Sequence, residues 1–165
     1  MAREPLDYDG SMANVASASF TPVDDDLYRE IILDHYRRPR HKRAVEPADR
    51  RVEANNPLCG DEIDLTMRLD GDAIAEIGFV GRGCSISQAS ASMLCEAVSG
   101  MSSEAARALA GRFRGMLQTG AEGEDLGDLE ALRGVRAYPV RVKCATLAWN
   151  ALLQALGSED LVNET

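Results

Sequence analysis

The sequence contains no long apolar run. No stretch reaches the 18 or more consecutive apolar residues at which a membrane-spanning helix is expected. The first ten residues are acidic and lack the apolar segment of a secretory signal peptide. We therefore expect no membrane association, and a cytoplasmic location in which cysteine thiols stay reduced.

Aromatic residues and cations are both scarce. Because only 5% of the residues are aromatic, the core should consist mainly of Ala, Leu, Ile, Val and Met. The formal net charge of -9 disfavours binding to nucleic acid, since phosphate contacts require clustered cations. One basic cluster occurs at 37–43. It is interpreted either as the solvated end of a helix or as a docking patch for an acidic protein.

The cysteines form no C-x-x-C pair, and histidines are few. The four cysteines are Cys59, Cys84, Cys95 and Cys144. Their spacing alone leaves buried or incidental thiols as an alternative to a metal site. Cys95 falls inside a predicted helix, where a small buried hydrophobic residue is expected. Neither histidine lies in a ligand-like sequence pattern, so both are left out of the predicted site.

The 165 residues, 45% of them hydrophobic, suit a single globular domain. Residues 1–23 are expected to form a flexible tail, residues 24–157 the domain and residues 158–165 a second tail. No second domain boundary and no internal repeat are visible.

Helical and strand periodicities predict an α+β fold. A helix with one buried face, including Tyr36, should run from about residue 24 to Pro39. Alternating residues at 62–69 and 73–80, joined by an Asp-Gly turn, predict a hairpin, and a third strand near 51–54 would complete a small antiparallel sheet.

Further helices complete the predicted fold. They are expected from Ser85 or Ser87 to about 98, at 102–118 and at about 140–156, with Trp149 as a core anchor. Residues 119–128 should form an exposed excursion. The expected fold is thus a three-stranded antiparallel sheet packed against about five helices.

Two thiols and a carboxylate are predicted to converge at one edge of this sheet. Cys59 and Asp61 are two residues apart and point to the same face of an extended segment. Antiparallel pairing returns the chain so that Cys84 lies beside them, and Cys144 begins the last helix. Three thiolates and one carboxylate suit a four-coordinate zinc ion, although an iron–sulfur cluster could use the same ligands.

Two cations close to Cys144 could moderate the negative charge of such a site. They are Arg141 and Lys143, both near the start of the last helix. A plain surface position for Lys143 is an equal alternative.

Three ordered motifs resemble the U-type iron–sulfur cluster assembly proteins over about residues 24–157. They are Asn-Pro-Leu-Cys-Gly-Asp at 56–61, Gly-Arg-Gly-Cys-Ser-Ile-Ser at 81–87 with Ala-Ser-Ala-Ser-Met at 89–93, and Arg-Val-Lys-Cys-Ala-Thr-Leu at 141–147. Within that family the chain is similar to the SufU type rather than to the IscU-type scaffolds. It has Lys143 where scaffolds have histidine, an excursion near 115–134, and Ala-Tyr-Pro-Val-Arg at 137–141 in place of a chaperone-binding motif.

The resemblance implies a SufE/NifU-like fold and a zinc-dependent sulfurtransferase. Its zinc ligands would be Cys59, Asp61, Cys84 and Cys144, and Cys59 would accept sulfur from a SufS-type, pyridoxal-phosphate-dependent cysteine desulfurase. Two alternatives stay open. The same ligands could hold a transient iron–sulfur cluster on a scaffold, or zinc could only clasp the fold of a passive adaptor. Other iron–sulfur assembly proteins are expected partners, and the chain is expected to be a monomer or a weak homodimer.

Overall fold

The computed structural model describes residues 22–120 and 126–157, which adopt an α+β arrangement. Its elements, in chain order, are α1 (Pro22–Arg37), β1 (Arg50–Asn56), β2 (Asp61–Asp70), β3 (Ala73–Arg82), α2 (Ser85–Val98), α3 (Ser103–Thr119), a 3₁₀ helix (Gly127–Ala137) and α4 (Pro139–Ala155). The predicted fold class is confirmed. Among the described residues, no helix is long and apolar enough to cross a membrane.

The three strands form one antiparallel sheet in the order β1-β2-β3. Asn56 at the end of β1 pairs with Asp61 at the start of β2, and Glu62 pairs with Arg82 at the end of β3. This register places the β1–β2 turn and the chain that follows β3 at the same edge of the sheet. The predicted hairpin and the predicted third strand are confirmed.

The core lies between the sheet and the helices α2 and α4. Trp149 on α4 is fully buried, and its ring stacks on Phe113 with the centroids 4.7 Å apart. Its indole N–H donates a hydrogen bond to Ser90 Oγ at 3.0 Å. Cys95 on α2 is also fully buried, and this burial raises the pKa of its thiol. Both residues thus occupy the core positions predicted for them.

Helix α1 differs from the prediction at its start and in its buried face. It begins at Pro22, so residues 22 and 23 are not part of a tail, while residues 1–21 lie outside the described chain. Tyr36 is 44% exposed, and His35 is buried instead. A rotation of about 100° per residue separates these neighbours on the helix surface. The face that packs on α2 is the one that carries His35.

The predicted exposed excursion at 119–128 is wrong at Leu126, whereas Gly127 and Asp128 are exposed as expected. Leu126 is only 4% exposed, and the 3₁₀ helix that follows it also packs against the core. Four of the buried residues recur at every third position and are Leu126, Leu129, Leu132 and Val135, while Ala131 is buried between them. A 3₁₀ helix has three residues per turn, so this spacing places the four on one face. Residues 121–125 of the excursion lie outside the described chain.

The basic cluster at 37–43 is engaged largely within the protein. Arg38 and Arg40 both pair with Asp34, and their guanidinium groups hold the pKa of that carboxyl below its usual value. Arg43 Nη2 lies 2.7 Å from Glu76 Oε2. These pairs favour the interpretation of the cluster as a helix end over that of a docking patch.

Candidate metal centre

A tight turn between β1 and β2 carries Cys59. The carbonyl oxygen of Asn56 accepts hydrogen bonds from the N–H groups of Cys59 at 3.1 Å and Gly60 at 2.8 Å. Asn56 Oδ1 accepts a third, from the N–H of Leu58 at 3.1 Å. Gly60 has a φ of 72°, a conformation that glycine adopts without steric cost. The turn therefore presents Cys59 from a fixed backbone, immediately before Asp61.

Cys84 caps the N-terminus of α2 beside Asp61. Its Sγ accepts the N–H of Ser87 at 3.5 Å, and its own N–H donates to Asp61 Oδ1 at 2.9 Å. A Cβ atom at Gly83 would lie 2.5 Å from Asp61 Oδ1. Only glycine at this position lets the Asp61 carboxylate approach the backbone that carries Cys84.

Cys144 completes the cluster from the first turns of α4. It is buried, and its thiol donates to Cys59 Sγ at 3.1 Å. The ligand atoms of Cys59, Asp61 and Cys144 all lie within 4.8 Å of one another. Burial raises the pKa of the Cys144 thiol, and the neighbouring Cys59 thiol and Asp61 carboxylate raise it further. Residues separated by 85 positions in the sequence are thus brought into contact.

The donor set fits a divalent metal ion. Asp61 is fully buried, and its Oδ2 has no hydrogen-bond partner among the described residues. Burial of an unpartnered carboxylate oxygen is costly, and a bound cation would remove that cost. Cys59, Asp61 and Cys144 could hold the ion. The fourth predicted ligand, Cys84, contacts Asp61 through its backbone N–H, and its Sγ is not among the ligand atoms that lie within 4.8 Å of one another. Sulfur and carboxylate donors of this kind suit tetrahedral zinc.

Arg141 and Lys143 occupy different surroundings. The charge of Cys84 raises the pKa of the Arg141 guanidinium, and the charges of Cys144 and Cys59 contribute in the same direction. Lys143 is exposed and lines a groove of about 590 Å³ together with Arg136 and Thr146. None of the contacts found among the described residues joins Lys143 to a thiol. The charges of the cysteines thus act on the Arg141 guanidinium.

Two features around the centre were not predicted from the sequence. Asn56 Nδ2 lies 3.8 Å from Cys144 Sγ, so this amide belongs to the surroundings of the thiols. Three exposed apolar side chains also flank the thiol-bearing segments, which we call the apolar rim: Leu58 (71% exposed), Tyr138 (65%) and Val140 (52%). An asparagine that ends a strand before a turn is a sequence signal for the first feature, since asparagine often caps turns.

A second polar cluster, which we call the His35 network, lies outside the group formed by Cys59, Asp61, Cys84 and Cys144, which we call the sulfur centre. His35 Nδ1 is 2.8 Å from Ser92 Oγ, and Nε2 is 3.1 Å from Asp128 Oδ2 and 3.9 Å from Glu96 Oε1. The expectation that His35 lies outside any ligand-like group is wrong, because His35, Glu96 and Asp128 are close enough to share an ion. Both ring nitrogens nevertheless have protein partners. The network joins α1, α2 and the 3₁₀ helix.

Comparison with known proteins places the chain among characterised relatives. Residues 27–158 match the model of the NifU-like N-terminal domain. The chain is 48% identical over 145 residues to the zinc-dependent sulfurtransferase SufU of Bacillus subtilis, covering 86% of this chain and 97% of the relative. It is 47% identical over 133 residues to the iron–sulfur cluster assembly scaffold protein IscU of Streptococcus pyogenes, covering 79% and 82%.

A solved structure shares the fold. It is that of a putative iron–sulfur cluster assembly scaffold protein for the SUF system from Fervidobacterium islandicum AW-1. The TM-score is 0.73 at 31% identity, with 86% of this chain and 99% of that chain covered. The similarity therefore extends over nearly the whole domain of the relative.

Proposed function

Because this chain belongs to the NifU-like N-terminal domain family, we propose that it is a zinc-dependent sulfurtransferase of iron–sulfur cluster assembly. The observation that carries the proposal is the pairing of a partly accessible thiol, Cys59, with a buried carboxylate, Asp61, whose Oδ2 has no hydrogen-bond partner among the described residues. The thiol of Cys59 can receive sulfur, and the carboxylate of Asp61 is suited to binding a cation.

The proposed zinc ligands are Cys59, Asp61, Cys84 and Cys144. Bound zinc would keep its sulfur ligands in the thiolate form and would do no redox chemistry. Arg141, whose guanidinium has its pKa raised by the charge of Cys84, is proposed to offset the negative charge of the ligand set. Lys143, exposed one residue before Cys144, is proposed to add positive potential on the outer side of α4.

Among the three thiols of the centre, Cys59 is proposed as the sulfur acceptor. Cys84 caps α2 and Cys144 is buried within α4, so displacement of either would disturb a helix. Cys59 lies on a turn between strands, where a small displacement leaves the ladder of β1 and β2 intact. Its accessibility also exceeds that of Cys144.

The transfer step conserves atoms and electrons. The Cys59 thiolate attacks the terminal sulfur of a persulfide carried by a cysteine of the partner. A bond forms between Cys59 Sγ and that sulfur while the partner's sulfur–sulfur bond breaks, and the electron pair leaves on the partner's thiolate. Cys59 becomes a persulfide, and no external oxidant or reductant is required.

The proposed partner is a pyridoxal-phosphate-dependent cysteine desulfurase, which docks over the apolar rim. Leu58 precedes Cys59 in the sequence, and Tyr138 and Val140 lie at the start of α4, which carries Cys144, so a partner bound to these side chains would lie close to the thiol-bearing segments. Clusters of exposed apolar residues are typical of interaction surfaces. The free thiols fit a reducing cytoplasm, which stays a prediction.

A scaffold function is the second candidate. It is favoured by the 47% identity to a relative named as an IscU scaffold. In that case the same four side chains would hold a nascent iron–sulfur cluster, and the cluster would be cargo rather than a resident cofactor.

Metal analysis separates the two candidates. Protein purified anaerobically should contain about one zinc ion per chain and no acid-labile sulfide if it is a sulfurtransferase. Iron with matching sulfide would favour the scaffold instead.

Sulfur transfer itself is tested with a cysteine desulfurase, free cysteine and mass spectrometry of the chain. Wild-type protein should gain 32 Da, the mass of one sulfur atom, on Cys59, about one sulfur per chain, and Cys59→Ser should gain none. Cys95→Ala is the matched control, because this thiol is buried away from the centre. Persulfide formation at the full rate in Cys59→Ser would overturn the proposal.

A further inference from the structure

We infer that Asn56 is a positioning residue which ties the Cys59 turn to Cys144 and thereby sets the metal affinity of the centre. The inference rests on the proposed function to the extent that the centre holds zinc. It concerns a side chain that is not itself proposed as a ligand.

Asn56 contacts both halves of the centre. It is buried at the end of β1, and three of its hydrogen bonds hold the turn that carries Leu58, Cys59 and Gly60. Its remaining polar group, the Nδ2 amide, is directed at Cys144 Sγ at 3.8 Å. Asn56 also pairs with Asp61 across the sheet. Asn56 thus holds the turn of Cys59, faces Cys144 and pairs with Asp61, and these are three of the four proposed ligands.

The two ends of the amide perform different tasks. The carbonyl end accepts the N–H of Leu58, which fixes the turn, while the NH₂ end donates towards sulfur. A donor directed at a thiolate stabilises its negative charge, and this matters in a centre proposed to contain four anionic ligands. An aspartate has the same shape and can keep the first contact, but it replaces the donor with a second negative oxygen.

The neighbouring residue supplies a matched control. Asn55 also lies in β1, one position earlier, and is exposed where Asn56 is buried. Successive residues of a strand point to opposite faces. Asn55→Asp therefore adds the same charge at nearly the same place in the sequence, without replacing the amide that faces Cys144.

Metal binding tests the donor. Zinc dissociation constants are measured by chelator competition, and the sulfur-to-cobalt charge-transfer band is recorded on Co²⁺-loaded protein. Asn56→Asp should weaken zinc binding by about 10- to 100-fold and shift that band, as is typical when the partner of a metal ligand is lost. Asn55→Asp should leave the band in place and weaken binding by less than about 3-fold. Equal effects of the two variants would overturn the inference.

Thiol reactivity tests the turn without metal or desulfurase. In metal-free protein, iodoacetamide should alkylate Cys59 several-fold faster in Asn56→Ala than in the wild type, because the turn loses the acceptor for the N–H of Leu58. Asn55→Ala should react at the wild-type rate, and Asn56→Asp should stay close to it. Unchanged Cys59 reactivity in Asn56→Ala would contradict the role in the turn.

The two proposals fail in distinguishable ways. Failure of sulfur transfer would leave the cobalt band and the alkylation rates of the Asn56 variants unaffected. Equal behaviour of the Asn55 and Asn56 variants would overturn the positioning role while leaving Cys59 as a possible acceptor.

Discussion

The sulfur centre and the His35 network are both assembled from distant segments, yet only one of them is complete. Both nitrogens of His35 have partners in Ser92 and Asp128. In the sulfur centre, Asp61 Oδ2 is buried without a partner among the described residues. Since buried polar groups are nearly always satisfied, the complete cluster points to a role in the fold, and the incomplete one to a ligand.

The largest expected effect lies in the incomplete cluster. Asp61→Asn removes the negative oxygen proposed as a ligand but keeps an oxygen that can accept the N–H of Cys84. Zinc affinity should fall by about 100-fold or more, a larger loss than that of a residue acting through a ligand. Chelator competition measures it, with urea denaturation of the metal-free variant as the control for folding. Zinc affinity equal to that of the wild type would remove Asp61 from the centre.

The complete cluster should respond in stability rather than in metal affinity. His35→Ala removes a buried ring and leaves the Ser92 and Asp128 groups without this partner, at a cost of about 2 kcal/mol in the free energy of unfolding. Urea denaturation of metal-free protein measures this cost. If His35→Ala instead loses zinc as Asp61→Asn does, the distinction between the two clusters fails.

A buried thiol outside both clusters gives a smaller, pH-dependent effect. The pKa of Cys95 is raised by burial, whereas in the unfolded chain it titrates near its ordinary value of 9.0. Above that pH the unfolded chain binds fewer protons than the folded one, so stability is lost by about 1.4 kcal/mol per pH unit.

Urea denaturation of metal-free protein at pH 8, 9 and 10 tests this dependence. The decline from pH 9 to 10 should be smaller in Cys95→Ala, in which the contribution of this thiol is removed. Identical slopes in the variant and the wild type would show that Cys95 ionises in the folded protein.

The smallest effect is expected at the edge of the His35 network. Glu96 is half-exposed, and its Oε1 lies 3.9 Å from His35 Nε2. Glu96→Gln should therefore change the free energy of unfolding by less than about 0.5 kcal/mol. A loss close to that of His35→Ala would contradict this and would make Glu96 an essential member of the network.

Local patterns predicted the sheet and most helices, because alternation and helical periodicity are properties of neighbouring residues. Leu126 and the 3₁₀ helix were missed, since a period of three residues resembles neither a strand nor an α-helix. Tyr36 was assigned to the buried face because periodicity alone does not distinguish it from the adjacent His35.

Some parts of the site could be predicted from the sequence, and others could not. The predicted hairpin placed Cys84 beside Asp61, as the structure does. The family whose model matches the chain agrees with the family that the three motifs resemble. The contact between Asn56 and Cys144 spans 88 positions and depends on how α4 packs against β1, which no local pattern encodes. The four-ligand set and the transfer of sulfur stay proposals.

The separation of 85 positions between Cys59 and Cys144 also fixes when the centre can form. At 5–20 residues per second, a ribosome needs roughly 4 to 17 seconds to reach Cys144 after it has added Cys59. During that interval the nascent chain contains Cys59, and later Cys84, but does not yet contain Cys144 on α4. Capture of an ion by all four proposed ligands is therefore postponed until α4 has left the exit tunnel.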